Sequence, residues 1–199
     1  PYFQLDNVLS GLFEIANRLY GMRFIENTKL DRYHKEVKVF EVYKNNDFYA
    51  LLYTDFFPRT GKRSGAWMTS YRSQKRNQRP HISIVCNFPR PTSNLPSLLT
   101  FQDVRTLFHE FGHALHGISA NTNYGALSGT NVYWDFVELP SQIMENWCYE
   151  TEALNLFAKH FKKQDLIPQV LINKIKKAAY FQQGLQTLTQ LSFSYLDLS

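Results

Sequence analysis

TFQDVRTLFHEFGHALHG, residues 100–117, is the stretch that decides how this chain folds. Apolar residues recur at Phe101, Val104, Leu107, Phe108, Phe111, Leu115 and Ile118, the spacing of one broad buried helix face. Thr100 offers an N-cap oxygen. Asp103, three residues on, resembles a capping box and suits the positive end of the helix dipole. Arg105, His109, His113 and His116 fall on a different, partly polar face. Gly117 is read as the helix end. Gly112 is the odd residue, because glycine inside a helix costs about 1 kcal/mol relative to alanine. Its presence predicts a neighbour that approaches the backbone closely at that point.

The polar face carries the chemistry. His109 and His113 stand four apart, so both imidazoles project from one side of the helix and can converge on one metal ion. Glu110 sits beside the first, placed to reach a water on that metal without binding it. A catalytic zinc site takes three protein ligands and leaves a fourth position open, so a third ligand is required. His116 drifts round the helix away from a shared ion and reads as an outer or surface residue. Cys86 and Cys148 belong to no close cysteine pair and read as small buried hydrophobes. Glu138 is the better choice. It lies at the start of a second predicted helix, Asp135–Glu150, which Asp135 can cap and whose first turn tolerates Pro140. Phe136, Leu139, Ile143 and Trp147 are expected to form the buried stripe of that helix, leaving Glu138, Gln142 and Glu145 on another face. Glu145 reads equally as an orienting partner for a ligand histidine and as a solvated charge. Glu138 taken alone, without the paired histidines, would read as a charge at a helix start.

HEFGHALHG (109–117) followed by SGTNVYWDFVELPSQIMENW (128–147) resembles the thimet oligopeptidase, neurolysin and bacterial peptidyl-dipeptidase (dipeptidyl carboxypeptidase) family of zinc metallopeptidases. DFFPRTGKRSGAWM (55–68) and PYFQLDNVLSGLFEIANRLYG (1–21) extend the resemblance over nearly the whole chain, and TNYGALSGTN (122–131) is closer to the bacterial peptidyl-dipeptidase branch. The resemblance implies that His109, His113 and Glu138 bind one Zn2+ per chain and that Glu110 is the catalytic glutamate. It implies oligopeptide substrates. It also implies that residues 1–199 are a central part of a catalytic domain, without the family's N-terminal helical segments and its C-terminal substrate-binding loop. The usual oxyanion donors then lie past residue 199, with Tyr124 and Tyr133 the candidates inside the chain. The substrate-binding residues are left unassigned.

The 199 residues, 44% of them hydrophobic, suit one domain with a real core. No apolar run approaches the roughly twenty residues of a bilayer span, so no membrane partner is expected, and two distant cysteines fit a reducing compartment, read as cytoplasmic. The net charge of +5 raises nucleic acid as a partner. Most of the excess lies in Arg59, Lys62, Arg63, Arg72, Lys75, Arg76 and Arg79, read as a solvated loop whose charges meet a peptide C-terminus and not as a nucleic-acid surface. Gly61-Lys62-Arg63-Ser64-Gly65 lacks the upstream glycine of a phosphate loop. Two other readings stand beside the peptidase: a zinc-binding but catalytically incompetent or structural module, and a basic nucleic-acid-binding domain in which HEFGH is accidental. Composition leaves the oligomeric state open.

The rest of the pattern predicts a helix over Asn7–Tyr20 stopped by Gly21, and a hairpin of Val37–Val42 and Phe48–Tyr53 around Lys44-Asn45-Asn46-Asp47. A third strand is expected at Ile82–Cys86, either the open edge on which a peptide lies or a plain interior strand. Helices follow over Glu152–Lys162 and Pro168–Leu196, with Gly184 as a possible break. The expected class is α+β, a mainly helical zincin-like catalytic subdomain with a small, mostly antiparallel sheet.

Overall fold

The computed structural model describes all residues, Pro1–Ser199. The chain divides into two compact units, Pro1–Leu166 and Ile167–Ser199. The class is α+β, as expected.

The first unit begins with α1 (Leu5–Tyr20), stopped by Gly21 in the left-handed conformation at φ 68. The chain turns directly into β1 (Met22–Glu26), then β2 (Lys38–Lys44) and β3 (Asp47–Asp55). Asn45 and Asn46, at φ 52 and φ 69, make the two-residue hairpin turn between β2 and β3, a conformation asparagine tolerates better than most residues. From β3 the chain passes to β4 (Trp67–Arg72) and returns as β5 (His81–Val85) between them. The sheet order is β1-β2-β3-β5-β4, antiparallel at every pairing except the parallel β3–β5. Sequence patterning missed both edge strands. β1 (MRFIE) and β4 (WMTSYR) bury little and so show no run of apolar alternation. The strand read at Ile82–Cys86 is interior, which removes it as the open edge; that edge belongs to β4.

α2 (Phe101–Ser119) packs against β4 and β5, with Val104, Leu107, Phe108, Phe111, Ala114, Leu115 and Ile118 buried. Phe111 joins Phe13 of α1 and Phe24 of β1 in an aromatic cluster, at ring separations of 5.9 and 5.6 Å. Phe111, the fully buried member, contributes on the order of 2 kcal/mol, and the half-buried Phe13 and Phe24 less. The capping box forms as expected, Thr100 Oγ1 accepting from the Asp103 N–H at 3.1 Å and Asp103 accepting from the Thr100 N–H at 2.8 Å. The helix does not end at Gly117 but runs to Ser119. Gly117 instead makes room, since a Cβ there would stand 2.8 Å from Ile82 Cδ1.

The end of α2 is held by Arg79, whose guanidinium donates to the carbonyls of Ile118 (2.8 Å) and Ala120 (3.0 Å), while Nε donates to Tyr49 O (2.7 Å). These carbonyls have no partner within the helix, so the arginine satisfies them and favours the negative end of the dipole. Arg59 and Lys62 also turn inward. Asp55, at the end of β3, receives Arg59 at 2.7 and 2.8 Å, Lys62 Nζ at 2.9 Å and the Tyr33 hydroxyl at 2.9 Å. Lys62 donates as well to the carbonyls of Phe57 (2.9 Å) and Cys86 (2.6 Å). Three of the basic side chains read as solvent-facing are therefore internal fastenings, two of them for the loop that leads into β4.

Asp55 gives a pH test of this fastening. Burial opposes its charge, but the hydrogen bonds from Arg59, Lys62 and Tyr33 outweigh that and bring its pKa down from 3.8 to about 2. A depressed carboxyl stabilises the fold fully above its unfolded pKa and loses that contribution as pH falls through the folded one, worth on the order of 2 kcal/mol here. Denaturant titrations from pH 5 to pH 2 should show this loss. In Asp55→Asn the acid limb should be shallower by that amount, and stability lower above the unfolded carboxyl range, where Lys62, 4% exposed, has lost its counter-charge, the two curves converging as pH falls to about 2. An unchanged acid limb would refute the role given to Asp55.

After α2 come the short helices α3 (Trp134–Val137), α4 (Leu139–Asn146) and α5 (Thr151–Phe157). The single helix expected over Asp135–Glu150 is broken at Glu138 and closes in a 3-10 turn at Trp147–Tyr149. Asp135 does not cap it: Tyr133 holds that position, with no side-chain cap. The expected stripe is also corrected, since Phe136, Leu139 and Ile143 are 46–47% exposed while Ser141, Met144 and Cys148 are buried. The second unit consists of α6 (Gln169–Ala179) and α7 (Gln183–Leu198). Their break comes at Gln182, with φ 56, and Gly184 lies inside α7. No helix in the chain is long and apolar enough to cross a membrane.

Candidate metal centre

His109 and His113 project from adjacent turns of α2, their ring centroids 4.9 Å apart. Glu138 reaches them from the joint between α3 and α4. One carboxylate oxygen, Oε2, stands 3.1 Å from His109 Nε2 and 3.2 Å from His113 Nε2. The ligand-type atoms of the three residues all lie within 4.8 Å of one another. Ligands at about 2.1 Å from a tetrahedral zinc are separated by about 3.4 Å, so this donor set has close to the right size and chemistry for the ion.

The joint reaches the histidines because of Gly112. A Cβ at that position would lie 2.5 Å from both Pro140 O and Ser141 Cα. The glycine between the two histidines is the point where α4 rests on α2, which answers the question its presence raised. Ser141, fully buried there, holds its hydroxyl 2.8 Å from both the Glu138 carbonyl and Glu138 Oε2. Its single proton can go to either, so it steers the carboxylate. Sequence reading passed over Ser141; the signal available was its i, i+3 spacing from Glu138.

Glu145 meets His109 from the other side. Its Oε1 is 2.7 Å from His109 Nδ1, and its Oε2 accepts from Arg105 Nη2 at 2.6 Å. Of its two readings, the structure therefore gives the orienting partner, which leaves the opposite ring nitrogen of His109 directed at Glu138. Burial opposes the Glu145 charge, but the bonds from Arg105 and His109 overcome it and lower its pKa. Burial pushes the His113 pKa down despite the opposing charge of Glu138, favouring a neutral ring with a free lone pair.

Glu110 is 7% exposed and lines, with the two histidines, Glu138, Ala66, Trp67, Met68 and Thr130, a cavity of about 470 Å³. Burial raises its pKa; His109 opposes this, Glu138 adds to it, and a hydrogen bond from the Met68 backbone opposes it again. Met68 belongs to β4, so the edge strand missing from the sequence reading forms the wall facing α2.

The remaining candidates fall elsewhere. His116 stands outside the group, its ring 6.1 Å from that of Phe136 and its Nδ1 buried without a partner. Cys86 and Cys148 are buried free thiols whose pKa values burial drives well above the ordinary range. Tyr124 and Tyr133, 73% and 88% exposed, do not line the cavity.

Compared with known proteins, the chain matches Peptidase family M3 over residues 1–199. It belongs to that family. It is 42% identical over 202 residues to dipeptidyl carboxypeptidase of Escherichia coli (strain K12), covering 100% of this chain and 30% of that protein. It is 42% identical over 204 residues to oligopeptidase A of Salmonella typhimurium, covering 99% and 30%. Against a probable cytosolic oligopeptidase A of Arabidopsis thaliana the identity is 36% over 210 residues, covering 100% and 30%. The chain thus spans about 30% of the length of these relatives.

Proposed function

We propose that this chain carries the catalytic centre of a zinc-dependent peptidase that hydrolyses oligopeptides, of peptidyl-dipeptidase or oligoendopeptidase type. The observation that carries this reading is the convergence of His109 Nε2 and His113 Nε2 on Glu138 Oε2, at 3.1 and 3.2 Å, in the cavity that Glu110 also lines. The names of the relatives, dipeptidyl carboxypeptidase and oligopeptidase A, support peptides as the substrate class.

His109, His113 and Glu138 would hold the ion, with Glu145 and Ser141 fixing the angles of His109 and Glu138. Zinc supplies Lewis acidity when bound, bringing the pKa of water towards neutrality and polarising a peptide carbonyl. Glu110 takes the proton of the attacking water and returns it to the departing amine, as general base and then general acid. Its raised pKa suits a group that must hold a proton in mid-reaction. The unpaired edge of β4 receives the substrate backbone as an added strand, by main-chain hydrogen bonds that require no particular side chain.

Elemental analysis tests the centre. We expect one zinc per chain, lost or strongly weakened in both His113→Ala and Glu138→Gln while the circular-dichroism spectrum persists. A folded chain that takes up no zinc on reconstitution would overturn the reading.

A further inference from the structure

A second hollow, of about 280 Å³, opens beside the first and shares Ala66, His109 and Glu110 with it. It extends towards the start of α2 along Gln102, Arg105 and Thr106. Arg105 is the permanent cation of its lining, and its side chain is 36% exposed. Glu145 grips this guanidinium through one nitrogen, Nη2; Nε is buried without a hydrogen-bond partner, so a ligand entering from the hollow meets the outer, Nη edge. A guanidinium offers five donors in a planar fork, enough to hold a second carboxylate beside the first.

Direction and distance both point to the substrate's own terminus. β4 begins beside His109 and Glu110, at Trp67 and Met68, and its later residue Ser70 lies by Gly117 and Ser128, so β4 runs the same way as α2. A peptide paired antiparallel to β4, the commoner arrangement, runs the other way and carries its C-terminus past Ala66 towards Arg105. Position 111 is midway between the two histidines, and Arg105 precedes it by six residues, about 9 Å along the helix axis. Two extended residues cover about 7 Å, and a charge-assisted hydrogen bond of about 2.8 Å closes the rest.

We propose that Arg105 receives the C-terminal carboxylate of the substrate two residues beyond the bond that is cut, making Arg105 a specificity-determining residue for release of C-terminal dipeptides. This rests on the peptidase reading above. It also moves the carboxylate contact away from the basic run at 59–79, where Arg59, Lys62 and Arg79 are engaged internally.

The test is calorimetric binding of two N-acetylated tetrapeptides, identical except for a free carboxylate or a carboxamide at the C-terminus. It uses the chain carrying Glu110→Gln to prevent cleavage, with zinc bound and with zinc removed. The acid should bind roughly tenfold or more tightly than the amide, the factor for one charge-assisted contact. Adding Arg105→Gln should bring the ratio to about one, and Arg105→Lys should keep part of it. A misplaced His109 would weaken both peptides alike and leave the ratio intact, so the ratio isolates the carboxylate contact. A ratio near one in the chain with Arg105 present, a ratio that survives Arg105→Gln, or no binding of either peptide overturns the subsite. A chain that binds no zinc overturns the metal centre instead, and the zinc-free measurement still reads Arg105 by itself.

Discussion

Glu110→Gln should leave zinc content at one per chain and lower peptide hydrolysis by about two to four orders of magnitude, the range for loss of a general base. The amide keeps the shape of the carboxylate and its place on α2, where 7% of the residue is exposed. It cannot accept the water's proton or return it to the amine. Glu110 is absent from the group of ligand-type atoms formed by His109, His113 and Glu138, so metal binding should not depend on it. Paired measurements of zinc stoichiometry and turnover on the metal-loaded protein separate the possibilities. Zinc lost together with activity would make Glu110 a ligand or a structural residue. Turnover unchanged by the substitution would remove it from the chemistry. A protein with bound zinc and no turnover to lose would favour the structural-module reading over the peptidase.

The parts of this centre that were legible in the sequence are those encoded locally. The capping box of Thr100 and Asp103, the apolar spacing of α2 and the four-residue interval of His109 and His113 all lie within one helix and its N-cap. Each follows from helix geometry without knowledge of the rest of the chain. Glu138 could be selected by chemistry, and the break in the helix at that position had a local signal that was passed over: Pro140, at the start of α4, has no N–H for the Phe136 carbonyl and its ring would crowd that carbonyl in a continuous helix. What could not be read locally is where α4 then goes: the backbone of Pro140 and Ser141 seats against Gly112 of α2. β4 was illegible for a related reason. Its residues are half-buried or exposed, so alternation is weak, and its partner β5 lies across the Lys75–Gln78 turn. The same stretch contains Arg72 and Arg79, and a basic composition looks solvated until Arg79 is seen against the end of α2. Exposed Phe136, Leu139 and Ile143 show the converse error, since apolar spacing identifies a face without saying whether this chain covers it.

Gly112→Ala should do more damage than its size suggests. The added methyl would sit 2.5 Å from Pro140 O and 2.5 Å from Ser141 Cα, both backbone atoms that no rotamer change can move. Alanine gains about 1 kcal/mol in helix propensity over glycine, but separating α2 from α4 costs about 1–3 kcal/mol or more in lost packing. A small net loss of stability is expected, and the larger effect falls on the metal. Glu138 and Ser141 ride on the segment that must shift, so Oε2 moves out of its 3.1 and 3.2 Å positions opposite the histidines. Zinc affinity should fall by about 10- to 100-fold, the scale for disturbing the groups that orient a ligand. The contrast is Gly184→Ala in α7, where nothing lies within 4 Å of the new Cβ; stability there should be unchanged or slightly raised, and zinc binding unaffected. Competition titration with a fluorescent chelator and thermal unfolding on both variants decide the matter. If Gly112→Ala binds zinc as tightly as the unsubstituted chain, the close seat of α4 on α2 is not what brings Glu138 to the histidines, and the physical account of the third ligand fails with it.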